Sequence, residues 1–389
     1  MNFYAICNSI SIVQYIEILM QKILKKFIHF IYNATHQAYG FLNKFILPRR
    51  FQLSPLVLRI RITNKCNLHC SFCYLAGNLN TGEENVLSLD EWKKIIDRLP
   101  SWTIIDITGA EPTLANNFYE ILSYLLDKKF KVSLITNGLR VDERLTQLLV
   151  KKKLMYLMIS IDGPKDFHNS LRGSNKSLQN IESFISKVKT LKKDLNSTYP
   201  IICAKTTITS ENFQYLNDTN DFVFNQLGVD IQSFNLMFQN QARGGTSFIE
   251  DLNSKQLRQG NTHTYSGKKI QQIKTSVREL VNYAKLNNRA INFKPEISLK
   301  NLEKYIERPS AFGVKKCFRT NSIATLYFDG TLSPCDIAFD VANIRDLNYD
   351  LRKIWYTEKF KKFSLFFKQN SPYSPICEGC CLAKQVRKR

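Results

Sequence analysis

Three cysteines stand close together in the stretch Arg61-Ile-Thr-Asn-Lys-Cys66-Asn-Leu-His-Cys70-Ser-Phe72-Cys73-Tyr74, with three and then two residues between them. An odd number of thiols on one loop speaks against disulfide use. A tetrahedral zinc site would need a fourth ligand nearby, usually from a second CxxC or a His pair. Three thiolates on one loop suit three irons of a [4Fe–4S] cube, with the fourth iron open to a ligand. A structural zinc loop and stray buried thiols are the competing readings. A second group follows far downstream: Cys317, Cys335, Cys377, Cys380 and Cys381. Cys317 and Cys335 bracket a hairpin, with Ile323 to Phe328 as one strand, Asp329-Gly330 as the turn and Thr331 to Ser333 as the return. Cys377 and Cys380 form a knuckle of x2 spacing, and Cys381 is a spare thiol or the true ligand of a wider turn. Four thiolates complete a site, and zinc ribbons use the same ligands.

Loops of this kind need a frame. Leu56, Leu58, Ile60 and Ile62 alternate as a first strand leading into the cysteines. A helix follows with Ser88 as N-cap, Glu91 three residues on and Trp92, Ile95, Ile96 and Leu99 on its apolar face. Strands are expected over 103–108, 131–136, 154–161, 201–209 and 229–238, and helices over 117–128, 142–152, 177–195 and 217–227. Such near-continuous apolar strands, alternating with helices, imply an α/β fold with a parallel sheet. Right-handed crossovers would curl it into a partial (βα)6 TIM-like barrel, with the chemistry at the carboxyl ends of the strands. A long loop is expected over 240–268, then a helix carrying Ile270, Ile273, Val277, Leu280, Val281 and Ala284, and a strand over 289–293.

The strand ends carry the next signals. Thr108-Gly109-Ala110-Glu111-Pro112 follows strand two, where Gly109 lets backbone approach a ligand and Glu111 can accept from an ammonium. Asn137-Gly138 closes strand three, Ser160 and Asp162-Gly163 end strand four, and Arg172-Gly173 follows. The cysteine stretch resembles the CxxxCxΦC signature of the radical S-adenosylmethionine (SAM) enzymes, with Phe72 at the aromatic position near the adenine and Tyr74 beside it. Gly109, Ala110 and Glu111 resemble the family's GGEP motif, which holds the SAM amino group; Ala110 replaces the second Gly and adds a Cβ. The resemblance implies further SAM contacts at Asn137, Ser160 and Arg172, the last toward the SAM carboxylate. Turn chemistry and surface ion pairs are the plain alternatives for these three. The resemblance covers about residues 55 to 240. Asp329-Gly330 followed by Pro334-Cys335-Asp336 resembles the auxiliary-cluster domains called SPASM and, in shortened form, twitch. That resemblance implies a second, auxiliary [4Fe–4S] cluster on Cys317, Cys335, Cys377 and Cys380, with Asp336 as a catalytic base.

The 389 residues are enough for a barrel and a smaller domain, and a hydrophobic content of 44% excludes global disorder. The expected divisions are 1–50, 51–290 and 291–389. Ten cysteines in local clusters point to metal ligation in a reducing, cytoplasmic setting. Cys7 and Cys203 read as buried small hydrophobes. The net charge of +22 favours anionic partners, yet no nucleic-acid motif accompanies it. Residues 10–32 form an apolar helical run interrupted by Glu17, Lys22, Lys25 and Lys26, too charged for a membrane span and without a signal peptide's basic start. The expectation is an amphipathic helix packed on the protein, with peripheral membrane contact as the other reading. The family implies reductive cleavage of SAM to a 5′-deoxyadenosyl radical, fed by a flavodoxin- or ferredoxin-type donor. Net oxidation or cross-linking of a peptide is the first expectation. Dehydrogenation of a small sugar or aminocyclitol is the second, and a non-catalytic zinc or nucleic-acid-binding module is the third.

Overall fold

The computed structural model describes residues 34–35, 38–46, 53–73, 75–236, 265, 267–295, 297–308, 312–313, 319–335, 340–370 and 384–385. The helix expected over 10–32 and most of the loop expected over 240–268 lie outside them. Seven strands run parallel in one sheet: β1 (Val57–Arg61), β2 (Ile104–Ile107), β3 (Lys131–Thr136), β4 (Tyr156–Ser160), β5 (Ile201–Ile208), β6 (Ile231–Leu236) and β7 (Ile291–Lys294). The connecting helices are α1 (Leu89–Asp97), α2 (Phe118–Asp127), α3 (Glu143–Lys151), α4 (Lys165–Arg172), α5 (Ser177–Asp194), α6 (Leu216–Asp221) and α7 (Lys268–Leu286).

Alternation decides which face is buried. Leu58, Ile60, Ile105, Ile107, Val132 and Leu134 pack with Trp92, Ile95 and Ile96 of α1 and Leu122 and Leu125 of α2. Each such burial contributes about 1.5–3 kcal/mol. The intervening residues face the concave side of the sheet, which is the lumen of a partial barrel.

The α/β expectation therefore holds, with one addition. A strand β8 (Phe312–Gly313) pairs with β12 (Lys384–Gln385) in a separate two-stranded ribbon, while the expected hairpin, β9 (Ile323–Tyr327) and β10 (Thr331–Ser333), does not stand apart. Its strand β9 lies parallel against β1, Arg59 opposite Thr325, and β11 (Ala342–Asn343) extends it, giving ten strands in the order β11-β10-β9-β1-β2-β3-β4-β5-β6-β7. At the other edge β7 adds a strand beyond residue 290. The last elements are α8 (Leu299–Glu307) and α9 (Glu358–Asn370).

One carboxylate fastens the hairpin to the barrel. Ser88 and Glu91 form the expected capping box, with the Glu91 amide donating to Ser88 Oγ at 3.2 Å and the Ser88 amide to Glu91 Oε2 at 2.9 Å. Glu91 Oε1 also accepts from Arg345 Nε at 2.6 Å, and Arg345 Nη1 donates to the Asp329 carbonyl at 2.9 Å. The Arg345 guanidinium holds the Glu91 carboxyl down to about 2. Sequence periodicity missed α4, because its buried side chains include the polar His168, Asn169 and Arg172. The helix ends on Gly173, whose φ of 66° is the left-handed cap that glycine accommodates. No helix among the described residues is long and apolar enough to cross a membrane.

Candidate active site

The cysteine loop leaves β1 and is tied down at several points before any thiol is considered. Asn80 clamps Cys66 from both sides: its Oδ1 accepts from the Cys66 amide and its Nδ2 donates to the Cys66 carbonyl, each at 3.0 Å. Glu83 collects the Thr63 hydroxyl, the Asn64 amide at 2.8 Å and the Lys65 ammonium at 3.1 Å. The Glu111 amide donates to the Lys65 carbonyl at 2.9 Å, Asn137 Nδ2 donates to Asn67 Oδ1 at 2.8 Å, and the Ser71 amide reaches the Leu171 carbonyl at 3.3 Å. The loop is thus fastened to the ends of β2 and β3 and to α4, so the three thiols face the carboxyl ends of the strands.

Cys66, Cys70 and Cys73 are free and half-buried. Burial pushes the Cys66 thiol up and the Cys70 thiol up to about 11, and the Arg172 charge works against both shifts. Each of these two thiols also feels Cys73, which places the three within electrostatic reach of one another. Among the described residues no three His, Cys, Asp or Glu side chains close around a point that would hold a single metal ion. Three thiols on one loop suit a cube in which each sulfur takes a different iron.

Arg172 lies beside this group. Its Nε donates to Asp162 Oδ2 at 2.7 Å, and its Nη2 donates to the same oxygen. Nη1 points at Cys70 Sγ at 3.8 Å, and the guanidinium lies 5.5 Å from the centre of the Phe72 ring. Burial opposes the charge of Arg172, and Asp162 and Cys70 more than offset it. Asp162 is itself held, with Oδ1 accepting from the Thr207 amide at 2.7 Å and its own amide donating to His168 Nδ1 at 3.1 Å. Burial pushes His168 down to about 3, so the ring is neutral and its remaining proton sits on Nε2, 3.1 Å from Ser177 Oγ.

The other expected residues are placed as follows. Gly109 has φ 118°, and a Cβ there would come within 3.1 Å of the Arg61 side chain, so glycine is required. Ala110 is half-buried beside it. Glu111 is fully buried and turns inward: Oε1 accepts from the Thr113 amide at 3.2 Å and hydroxyl at 2.7 Å and from the Thr136 hydroxyl at 2.8 Å, while Oε2 accepts from the Asn137 amide at 2.7 Å. Burial pushes its carboxyl up, against those donors. Asn137 Oδ1 accepts from the Leu139 amide at 2.9 Å, and Ser160 is half-buried at the end of β4. Cys335 is half-buried after β10 and packs on the core, with Ser333 Oγ donating to its carbonyl at 2.6 Å. Cys203 is buried, and its thiol is pushed up to about 11. Tyr74, Cys317, Asp336, Cys377 and Cys380 lie outside the described residues, as do Cys7 and Cys381.

Asn67, Asn80, Glu83 and His168 belong to the site and escaped sequence reasoning, as did the pairing of Asp162 with Arg172. Asp162 was visible as the acid of a strand-end turn ten residues before Arg172, which is the signal that pairs them. Asn80 and Glu83 carry no motif.

The carboxylate of Glu111 serves two buried backbone amides, so Glu111→Gln is expected to destabilise the protein by about 1–3 kcal/mol. A glutamine has one acceptor oxygen and must turn its NH2 on the Thr113 or Asn137 amide. Urea unfolding checks this, and an unchanged midpoint would show that the amides find other acceptors.

Residues 60–223 match the family model of the radical SAM superfamily, and residues 317–381 match that of SPASM, an iron–sulfur cluster-binding domain. The sporulation killing factor maturation protein SkfB of Bacillus subtilis is 31% identical over 166 residues, which are 42% of this chain and 38% of SkfB. An S-adenosylmethionine-dependent nucleotide dehydratase of Selenomonas ruminantium is 32% identical over 150 residues, 37% of this chain and 53% of the relative. The match thus spans about half or less of the length of these curated relatives. In three dimensions the chain resembles SuiB of Streptococcus suis at 16% identity, covering 86% of this chain. The TM-score is 0.60 against SuiB bound to S-adenosylmethionine, over 74% of that chain, and 0.58 against SuiB bound to precursor peptide SuiA, over 73%. A three-thiol loop at the mouth of a partial parallel barrel and the two family matches lead to one conclusion: residues 60–223 are a radical SAM domain, the domain that takes a [4Fe–4S] cluster and SAM, and residues 317–381 are a SPASM domain for an additional iron–sulfur cluster.

Proposed function

We propose that the protein is a peptide-modifying maturase that uses SAM to abstract a hydrogen from a peptide and completes a net oxidation or cross-link. The observation that carries this reading is the arrangement at the barrel mouth: Cys66, Cys70 and Cys73 on a loop fastened to β2, β3 and α4, with Arg172 beside Cys70. The maturation role named for SkfB and the precursor peptide bound by SuiB support a peptide as substrate. The nucleotide dehydratase supports a second reading, in which the substrate is a small molecule. When bound, the first cluster and SAM supply a 5′-deoxyadenosyl radical, and the auxiliary cluster supplies a one-electron acceptor.

This chain's own residues provide position. Cys66, Cys70 and Cys73 hold the first cluster. The backbone at Gly109 and Ala110, with Phe72, Tyr74, Glu111, Asn137, Ser160 and Arg172, forms the SAM pocket, and Glu111 also keeps that strand end in shape through the Thr113 and Asn137 amides. Cys317, Cys335, Cys377 and Cys380 hold the second cluster, and Asp336 takes the substrate proton. Residues 51–290 supply the barrel through β6, 291–389 supply its edge strand β7, the hairpin beside β1 and the auxiliary unit, and 1–50 act as an extension. The net charge of +22 suits an acidic flavodoxin- or ferredoxin-type donor.

The test uses the full chain, reconstituted anaerobically and reduced, with SAM and a candidate precursor peptide. The expected result is a mass change in the peptide that accompanies 5′-deoxyadenosine. Cys335→Ala is expected to keep uncoupled 5′-deoxyadenosine formation while modified peptide collapses, and Asp336→Asn to lower product about 100-fold. Full product from Cys335→Ala would make the auxiliary site structural, and an unmodified peptide with continued SAM cleavage would move the substrate to the small-molecule class.

A further inference from the structure

Three consecutive residues at the end of α4 lie against three consecutive residues of the cysteine loop, in the opposite chain direction. The Leu171 carbonyl accepts from the Ser71 amide at 3.3 Å, Arg172 Nη1 donates to Cys70 Sγ at 3.8 Å, and a Cβ on Gly173 would come within 3.5 Å of the His69 carbonyl oxygen. Backbone contacts on both sides therefore hold Arg172 beside Cys70, and the approach does not depend on one long side chain alone.

The guanidinium is fixed as well. Nε and Nη2 both donate to Asp162 Oδ2, which leaves Nη1 for the sulfur. Asp162 is held in turn by the Thr207 amide on Oδ1 and by its own amide's bond to His168 Nδ1. Arg172 is 8% exposed and Asp162 1%, and the Phe72 ring centre lies 5.5 Å from the guanidinium. A buried ion pair is weak evidence for stability, since well-packed apolar residues of like volume often serve as well. An apolar pair could not aim a charged donor at a cysteine sulfur. Reduction adds negative charge to an iron–sulfur cluster, and net charge and hydrogen bonds to its sulfurs set how readily that happens.

We infer that Arg172 raises the reduction potential of the first cluster by donating to Cys70 Sγ, and that Asp162, the counter-charge that aims this donor, holds the potential down. The pair thus sets how readily an electron enters from the reductant. This gives Arg172 a task that precedes SAM binding and is separate from any contact with the SAM carboxylate. It concerns the radical SAM domain itself and holds for a peptide or a small-molecule substrate alike. Two partners of opposite charge should move the potential in opposite directions, which a merely structural pair would not do.

The experiment uses the anaerobically reconstituted full chain without SAM, poised with titanium(III) citrate at the wild-type midpoint potential. Electron paramagnetic resonance reads the ratio of reduced to oxidised first cluster, whose signal is identified in the wild type as the one that added SAM changes. Arg172→Met is expected to lower the ratio about tenfold and Asp162→Asn to raise it about threefold, as a charge or a charge-assisted hydrogen bond beside a sulfur should allow. Arg172→Lys keeps the buried charge against Asp162 but has no fork to reach both partners. Its ratio is expected to fall between those of the wild type and Arg172→Met, and it carries the test if Arg172→Met takes up no cluster. An unchanged ratio in the arginine variants, or a shift in the same direction in Arg172→Met and Asp162→Asn, overturns the inference. Unchanged ratios with weakened SAM binding would also overturn it and leave Arg172 to SAM alone.

Discussion

Replacing Cys66, Cys70 and Cys73 together by alanine is expected to lower the iron of the anaerobically reconstituted protein from about eight to about four per chain. Formation of 5′-deoxyadenosine should fall to background in the same preparation. The fold should survive, because the loop is held by Asn80, Glu83, Asn137 and the Glu111 and Ser71 amides and not by its sulfurs. Relieving the burial of the Cys66 and Cys70 thiols removes no packed core, so the melting temperature should move little. Iron analysis, a SAM-cleavage assay and a thermal scan on one sample decide it. Undiminished cleavage by the triple variant would place the radical chemistry elsewhere in the chain.

The second large effect concerns the buried pair behind the loop. Arg172→Met is expected to destabilise the protein by about 3–5 kcal/mol, because it leaves the Asp162 carboxylate buried and uncompensated. Asp162→Asn should cost a similar amount, since its oxygens serve both Arg172 and the Thr207 amide. The double variant Asp162→Asn/Arg172→Met should lose less than the two single effects added together, as coupled partners do. SAM affinity should fall in all three, since Nη1 of Arg172 points to Cys70 and the guanidinium covers Phe72. Urea midpoints for the four proteins close the cycle, and simply additive losses would mean that the two side chains act independently.

Much of the frame was legible in the sequence, for identifiable reasons. The strand Lys131–Thr136 matches its expected bounds because both ends are marked, by charged residues before it and Asn137-Gly138 after it. The capping box at Ser88 and Glu91 was readable because it is purely local. Strands expected over 103–108 and 154–161 are shorter, at Ile104–Ile107 and Tyr156–Ser160. Thr103 turns back to the Pro100 carbonyl, while the Thr108, Met155 and Ile161 amides each give a last bond to a neighbouring strand at the carbonyls of Ile60, Val132 and Lys205 but lie outside the paired register. Arg172 was found by motif but assigned to no element, because α4 buries polar groups that apolar periodicity cannot detect. Nothing local could announce that β9 would lie parallel beside β1, a pairing across some 260 residues of sequence. The hold of Asn80 and Glu83 on the loop is equally non-local in kind, since each is an ordinary polar residue until the chain is folded.

The central claim is that the first cysteine group holds a SAM-cleaving cluster and the second an auxiliary one. Its most direct measurement is metal content and SAM turnover of the full-length protein, purified and reconstituted without oxygen. The account predicts about eight irons per chain with negligible zinc. On reduction with SAM, it predicts 5′-deoxyadenosine and methionine in equal amounts. Zinc in place of iron at the downstream cysteines would contradict the auxiliary cluster, and an iron-loaded, reduced protein that leaves SAM intact would contradict the account as a whole.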